Sequence, residues 1–99
     1  MSWEPVYRLV QQIPRGRVTT YGALARALTL RGGARTAGRA MAATPSGRGI
    51  PWHRVVGAGG IIVFPRNSLH FKEQARRLRA EGVAVKDGRV AREAMTDLD

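Results

Sequence analysis

Thr20-Tyr21-Gly22-Ala23-Leu24-Ala25-Arg26-Ala27-Leu28, a Gly32-Gly33 break and then Ala34-Arg35-Thr36-Ala37-Gly38-Arg39-Ala40-Met41 form the stretch that decides the fold. Thr20 is placed to cap a helix whose apolar stripe is Tyr21, Leu24, Ala25 and Leu28, at helical spacing. The glycine pair interrupts it. A second helix begins near Ala34, with Ala34, Ala37, Gly38 and Met41 on one face and Arg35 and Arg39, one turn apart, on another. Two short helices about a glycine break, the second with small residues inward and arginines outward, predict a helix-turn-helix.

Working outward, Val6, Leu9, Val10 and Ile13 predict an amphipathic helix over 5–12 with Pro5 in its first turn, ended by Pro14-Arg15-Gly16. Arg17-Val18 reads as a short extended piece. Downstream, the loop Thr44 to Gly49 delivers the chain to Pro51-Trp52-His53-Arg54-Val55. Gly57-Ala58-Gly59-Gly60 separates Val55-Val56 from Ile61-Ile62-Val63-Phe64, as a hairpin turn would. No helical pattern follows these glycines, which argues against a phosphate loop. Ser68 caps a helix from Leu69 to Glu81 with Phe71, Ala75 and Leu78 inward and Gly82 past its end. Val83 to Val85, Asp87-Gly88 and Val90 predict a terminal hairpin, and 91–99 a frayed tail. The expectation is one domain over 1–99. It is mainly α with a small β-hairpin wing, a winged-helix-like DNA-binding layout.

Charge points to a polyanion. The formal net charge is +10, and residues 1–55 hold nine arginines against the single acid Glu4. Residues 56–99 hold eight basic and six acidic residues, so the surplus is concentrated in the first half. A merely solubilising surface is the plain alternative. The chain has no cysteine, which excludes disulfides and thiolate metal sites, and only His53 and His70 offer imidazole ligands. Neither a metal nor a cofactor is expected. No apolar run nears the ~20 residues of a membrane helix, and no signal-peptide pattern opens the chain. The expected location is the cytoplasm, at the nucleoid if the source is prokaryotic.

Several motifs in order carry a resemblance. Ile13-Pro14-Arg15-Gly16-Arg17-Val18-Thr19-Thr20-Tyr21-Gly22, the arginine-bearing helix at Ala34 to Met41, Pro51-Trp52-His53-Arg54-Val55, and Lys72-Glu73 with Glu81-Gly82 are similar to the DNA-binding domain of the O6-alkylguanine-DNA alkyltransferases. The match runs over about 4–85. In that family a cysteine between the proline and the histidine accepts the alkyl group; here that position is Trp52. An indole offers one N–H donor and no thiolate-like state. The chain therefore resembles the alkyltransferase-like proteins, non-catalytic relatives of those enzymes.

The resemblance implies a mode of action. The recognition helix enters the minor groove, the target nucleotide is flipped into a pocket, and the damage is handed to nucleotide excision repair proteins. Thr20, Tyr21, Arg35, Thr36 and Arg39 are then the DNA-binding residues, with Arg35 matching the arginine that fills the vacated stack. Without the resemblance Arg35 is an ordinary solvated arginine, and Tyr21 a core residue of its helix. Tyr21, Trp52, Val55 and Arg66 are the implied lesion pocket. His53 and Glu81 match the partners that activate the missing cysteine, and their remaining role is a buried hydrogen-bonded pair supporting the pocket wall. Thr44 stands where the enzymes have asparagine.

The expected function is a monomeric, non-enzymatic sensor of O6-alkylguanine in duplex DNA. The alternative is a winged-helix transcription regulator without lesion specificity. It lacks the side chains a major-groove reader needs, since the recognition helix offers mainly Arg35, Thr36 and Arg39 among alanines and a glycine. An enzyme using Ser2, Ser46 or Ser68 has no recognisable triad context.

Overall fold

Pro5, which has no N–H and so needs no intrahelical acceptor, sits in the first turn of α1 (Glu4–Val10) in the computed structural model, which describes residues 2–96. The helix is shorter than its apolar spacing predicts. Gln12 N–H reaches Leu9 O and Ile13 N–H reaches Val10 O, so the last turn tightens ahead of Pro14. After the short strand β1 (Thr19–Thr20), α2 (Tyr21–Leu28) starts as expected: Thr20 Oγ1 accepts from Ala23 N–H at 3.0 Å. It stops at Thr29, whose φ of 52° is left-handed. Gly33, with φ 63°, then redirects the chain into α3 (Ala34–Ala42). The helix-turn-helix is present, with a shifted face. Ala37, Ala40 and Met41 are the buried residues of α3, while Ala34 and Gly38 border a cleft.

The expected hairpin across residues 57–60 does not form. Val55–Val56 make β2, which pairs in parallel with β1, Thr19 opposite Val55 and Thr20 opposite Val56. Gly57 N–H donates to Ile61 O, closing a tight turn, and Ile61 bridges Arg89 instead. The reason lies in burial. Val55 and Val56 are both fully buried, Val55 in a cluster with α1, α2 and α3, Val56 in a cluster with α4 (Leu69–Ala80) and the C-terminal segments. Successive strand residues point to opposite faces, so only a strand sandwiched between two apolar layers satisfies both valines.

The wing is the second hairpin, β3 (Val85–Lys86) with β4 (Arg89–Val90), joined by Asp87 and Gly88 at φ 52° and 73°. Two successive positive φ values suit the right-handed twist of a two-residue hairpin. Gly60 supports it from below: a Cβ there would come within 2.9 Å of Val90 O. The tail departs from expectation. Residues 91–96 are ordered by a one-turn 3-10 helix at Arg92–Ala94 and by bonds from Val18 N–H to Ala94 O and from Thr96 N–H to Val18 O. Ala94 is buried in the second cluster, so apolar contact offsets the fraying the polar composition implied. Residues 97–99 lie outside the described residues. Among the described residues no helix is long and apolar enough to cross a membrane.

Ser68 caps α4 by accepting from Phe71 N–H. Its inward face includes a residue that apolar spacing does not reveal. Gln74 is almost fully buried, and its Nε2 donates to the carbonyls of His53 and Val55 at 3.1 and 2.9 Å. It stitches α4 to the segment carrying Trp52. Gln74→Leu would leave both carbonyls without this donor in an apolar setting, so unfolding free energy by urea titration should drop by about 2–4 kcal/mol. A change under about 0.5 kcal/mol would show that water replaces the amide at no cost.

Candidate nucleic-acid interface

Trp52 begins a one-turn 3-10 helix, Trp52–Arg54, that leads straight into β2. That turn is fixed from behind by one carboxylate. Glu81, the residue at the end of α4, accepts from His53 Nε2 at 2.7 Å, from Arg54 Nη2 at 2.8 Å and Nε at 3.0 Å, and from Gly16 N–H at 2.9 Å. Arg54 Nη1 also donates to Ile13 O. Burial by itself would raise the pKa of Glu81, but the bonds from Arg54, Gly16 and His53 outweigh it and hold it at about 2. For His53 the order reverses. Burial pushes it below its ordinary value against the pull of Glu81, so the ring is neutral and Nε2 carries the donated proton. Its Nδ1 is buried without a hydrogen-bond partner among the described residues.

On the other side of this turn lies an open cleft of about 1240 Å³. Tyr21, half-buried, lines it from the start of α2, and burial raises its phenol above the ordinary value. Arg35 lines it from α3 and is exposed. Gly38 adds backbone with open space where a Cβ would be, so a ligand can approach closely. The loop Thr44 to Gly49 closes one edge and is tied to α1 by Arg48, which makes a two-pronged pair with Glu4 at 2.6 and 2.8 Å. Trp52 faces the cleft half-buried, with Phe64 and His70 edge-on at 6.1 and 6.4 Å between ring centroids.

Of the residues expected at the site, the structure brings together Thr20, Tyr21, Arg35 and Trp52 around the cleft. His53 and Glu81 form the supporting pair the sequence implied, joined by Arg54, which was not foreseen as a third member. Two assignments are corrected. Val55 is no pocket residue: it is fully buried in the first core cluster. Arg66 lies outside the cleft, its side chain 65% exposed, with its guanidinium 5.9 Å from the Phe71 ring and 3.8 Å from Asp87. Arg66 thus stands near the wing turn at Asp87 and not beside Trp52. Thr36 and Arg39 do not line the cleft. Thr36 Oγ1 donates to Arg31 O across the turn between helices, and Arg39 is exposed one turn along α3.

Sequence reasoning missed Arg77. It projects from α4 with its guanidinium carbon 5.3 Å from the Trp52 ring centroid. Its position four residues after Glu73, to which its Nε donates at 2.8 Å, reads in the sequence as an ordinary exposed helix pair. Among the described residues no group of three or more His, Cys, Asp or Glu side chains forms a metal site.

A helix pair that sets an arginine beside an aromatic cleft, under a small wing, defines a helix-turn-helix nucleic-acid-binding class. Comparison with known proteins narrows it. The chain belongs to the family described as the DNA binding domain of 6-O-methylguanine DNA methyltransferase, whose model matches residues 2–83. The DNA base-flipping protein of Vibrio parahaemolyticus is 36% identical over 87 residues, covering 87% of this chain and 85% of that one. Alkyltransferase-like protein 1 of Schizosaccharomyces pombe is 39% identical over 80 residues, 81% of this chain and 74% of that protein. The crystal structure of S. pombe Atl1 in complex with damaged DNA containing O6-carboxymethylguanine superposes with a TM-score of 0.83 at 34% identity, covering 96% and 94% of the two chains.

The Glu81 network gives a pH signature. A carboxylate held at about 2 rather than 4.5 contributes stability that is present above about pH 4.5 and lost as pH falls towards 2. Glu81→Gln should cost about 3–5 kcal/mol at pH 7, because Arg54 is left as a largely buried charge without its partner. Urea titrations at stepped pH should show the gap between parent and variant closing between pH 4.5 and 2. A gap that stays constant to pH 2.5 would mean the ionised carboxylate contributes nothing.

Proposed function

We propose that this protein is a non-enzymatic sensor of O6-alkylguanine lesions in duplex DNA. In this reading α3 enters the minor groove, Arg35 takes the place of the flipped nucleotide, and the extruded base enters the cleft against Trp52 and Tyr21. The single observation that carries it is Trp52. It faces the cleft from the position where the resembling enzymes carry their alkyl-accepting cysteine, in front of a His53–Glu81 pair of the right type at 2.7 Å. The activating partners remain and there is no nucleophile among them, so the site is suited to hold a base and not to react with it. Relatives named DNA base-flipping protein, and a relative crystallised with damaged DNA, support the reading.

The physics is consistent with it. Flipping costs a few kcal/mol of unstacking, less for a base whose pairing is already damaged. A planar guanidinium on an exposed helix face can stack and hydrogen-bond in the gap. Small residues at Ala34 and Gly38 permit close approach in a shallow groove. With no covalent step, the bound complex itself is the signal. Its proposed destination is the nucleotide excision repair machinery, which would meet a bent, occupied duplex.

Incubation with duplex carrying label in the methyl group of O6-methylguanine should leave no label on the protein, and lesion duplex should bind more tightly than its guanine match. Stoichiometric transfer of label overturns the non-enzymatic reading; equal affinities overturn the sensor reading and favour a winged-helix regulator.

Arg35→Ala should weaken lesion binding by about tenfold or more. Arg8→Ala, on exposed α1 surface away from the cleft, should change it by about twofold, since it removes only screened phosphate attraction. Similar losses in both variants, measured by anisotropy at one salt concentration, would identify a diffuse electrostatic binder. Trp52→Ala should lower the ratio of lesion to undamaged affinity while the salt slope for undamaged duplex stays the same.

A further inference from the structure

The arginines that line the cleft differ in what already holds them. Arg26 and Arg35 are exposed on α2 and α3, on the helix-turn-helix face where the phosphate backbone is expected. Arg77 comes from α4 and is built into the cleft beside Trp52. Its Nε is fixed by Glu73 at 2.8 Å, and its guanidinium carbon lies 5.3 Å from the indole centroid. Its Nη1 and Nη2 donate to no group among the described residues, so the outer end of the fork is available to a ligand. None of the cleft-lining residues is an Asp or Glu. Glu73 is already engaged, accepting from Arg76 at 2.9 and 2.7 Å as well as from Arg77.

We propose that Arg77 is a specificity-determining residue, which makes this cleft prefer O6-substituents ending in an anion, carboxyalkyl groups above all, over neutral alkyl groups of the same size. The inference rests on the lesion-sensor reading and adds the chemical class of the adduct. Trp52 and Arg77 both line the cleft, with the guanidinium carbon 5.3 Å from the indole centroid, so an adduct seated at Trp52 lies within reach of Arg77. A terminal carboxylate can accept two parallel N–H bonds from the free end of the fork, the strongest geometry available to arginine. A neutral branched alkyl group of equal size offers no acceptor and covers those donors, stripping their water without replacing it. Both effects favour the anion.

The test uses three otherwise identical duplexes carrying guanine, O6-isobutylguanine or O6-carboxymethylguanine, with Kd measured by anisotropy at fixed salt. The isobutyl and carboxymethyl groups share heavy-atom count and branching and differ in charge. The protein should bind the carboxymethyl duplex about tenfold more tightly than the isobutyl duplex. Arg77→Leu should bring that ratio near one, the carboxymethyl duplex losing about tenfold more affinity than the isobutyl duplex does. Arg77→Lys, a point charge without the fork, should restore part of the ratio. Equal binding of the two adducts, both tighter than guanine, overturns this proposal and leaves the sensor reading standing. Equal binding of all three overturns the sensor reading itself. An equal loss on all three duplexes in Arg77→Leu would make Arg77 a phosphate contact and overturn the assignment. Should Arg77→Leu not fold, the parent ratio and the Arg77→Lys ratio decide the matter alone.

Discussion

One carboxylate holds the site in register. Glu81 sits at the C-terminal end of α4, yet it accepts from Gly16 just after α1 and from His53 and Arg54 in the turn that presents Trp52. Four donors from two distant segments converge on a group whose side chain is only 6% exposed. An ion buried so deeply is tolerable only because every oxygen is satisfied and a cation faces it. The geometry follows from this. Arg54 also bonds Ile13 O, so the end of α1, the 3-10 turn and the end of α4 form one block. Gln74 reinforces the same turn through the carbonyls of His53 and Val55. Trp52 is held on the cleft side of that block.

The parallel pair of β1 and β2 makes this arrangement possible. It runs between two apolar clusters and gives Val55 to one and Val56 to the other. The helix-turn-helix packs on the first cluster and α4 on the second. Cleft residues therefore come from both: Tyr21 and Arg35 from one side of the strand pair, Arg77 from the other, with Trp52 between in sequence and in space. The buried Thr19 hydroxyl and His53 Nδ1, each without a partner among the described residues, lie on this same seam. Such unpaired polar atoms carry a desolvation cost, and they occur where the site rather than the core sets the residue type.

On the proposed reading, an indole in place of a thiol changes what the site does with binding energy. A reactive cleft must bring a nucleophile within attack distance. A sensing cleft needs only a shape and a field that differ between damaged and undamaged bases. The Trp52 face supplies shape, with Phe64 and His70 fixing its orientation by edge contacts. The arginines supply a field of one sign, since no carboxylate is among the lining residues and the Glu73 that pairs with Arg77 lies behind it. The same surplus of positive charge runs through the first half of the chain, where nine arginines face one acid. On the proposed reading, general affinity for a polyanion comes from composition, and discrimination from a few side chains at the cleft.

Local signals were enough for much of this. Thr20 and Ser68 cap the helices their positions predicted, the glycines at 32 and 33 break the chain where a turn was expected, and Asp87-Gly88 forms the foreseen hairpin. These depend on near neighbours, which a sequence displays directly. Resemblance to the alkyltransferases, carried by the motif around Trp52, implied the cleft residue and the His53–Glu81 pair. What failed depended on distant partners. Val55 and Val56 look like one arm of a hairpin until two separate apolar layers claim opposite faces of the strand. Residues 91–96 look frayed until Val18 accepts and donates bonds to them from across the chain. Arg66 and Arg77 carry the same charge, and no spacing tells which reaches the tryptophan. Arg66 stands near Phe71 and Asp87 of the wing, and the rotation of α4, set by Gln74, Ala75 and Leu78 facing inward, lays Arg77 over the ring. Composition and local pattern determined the helices and the charge, and family resemblance picked out the cleft residue. Tertiary packing alone decided which arginine stands beside it, because that depends on the angle at which one buried helix face meets its core.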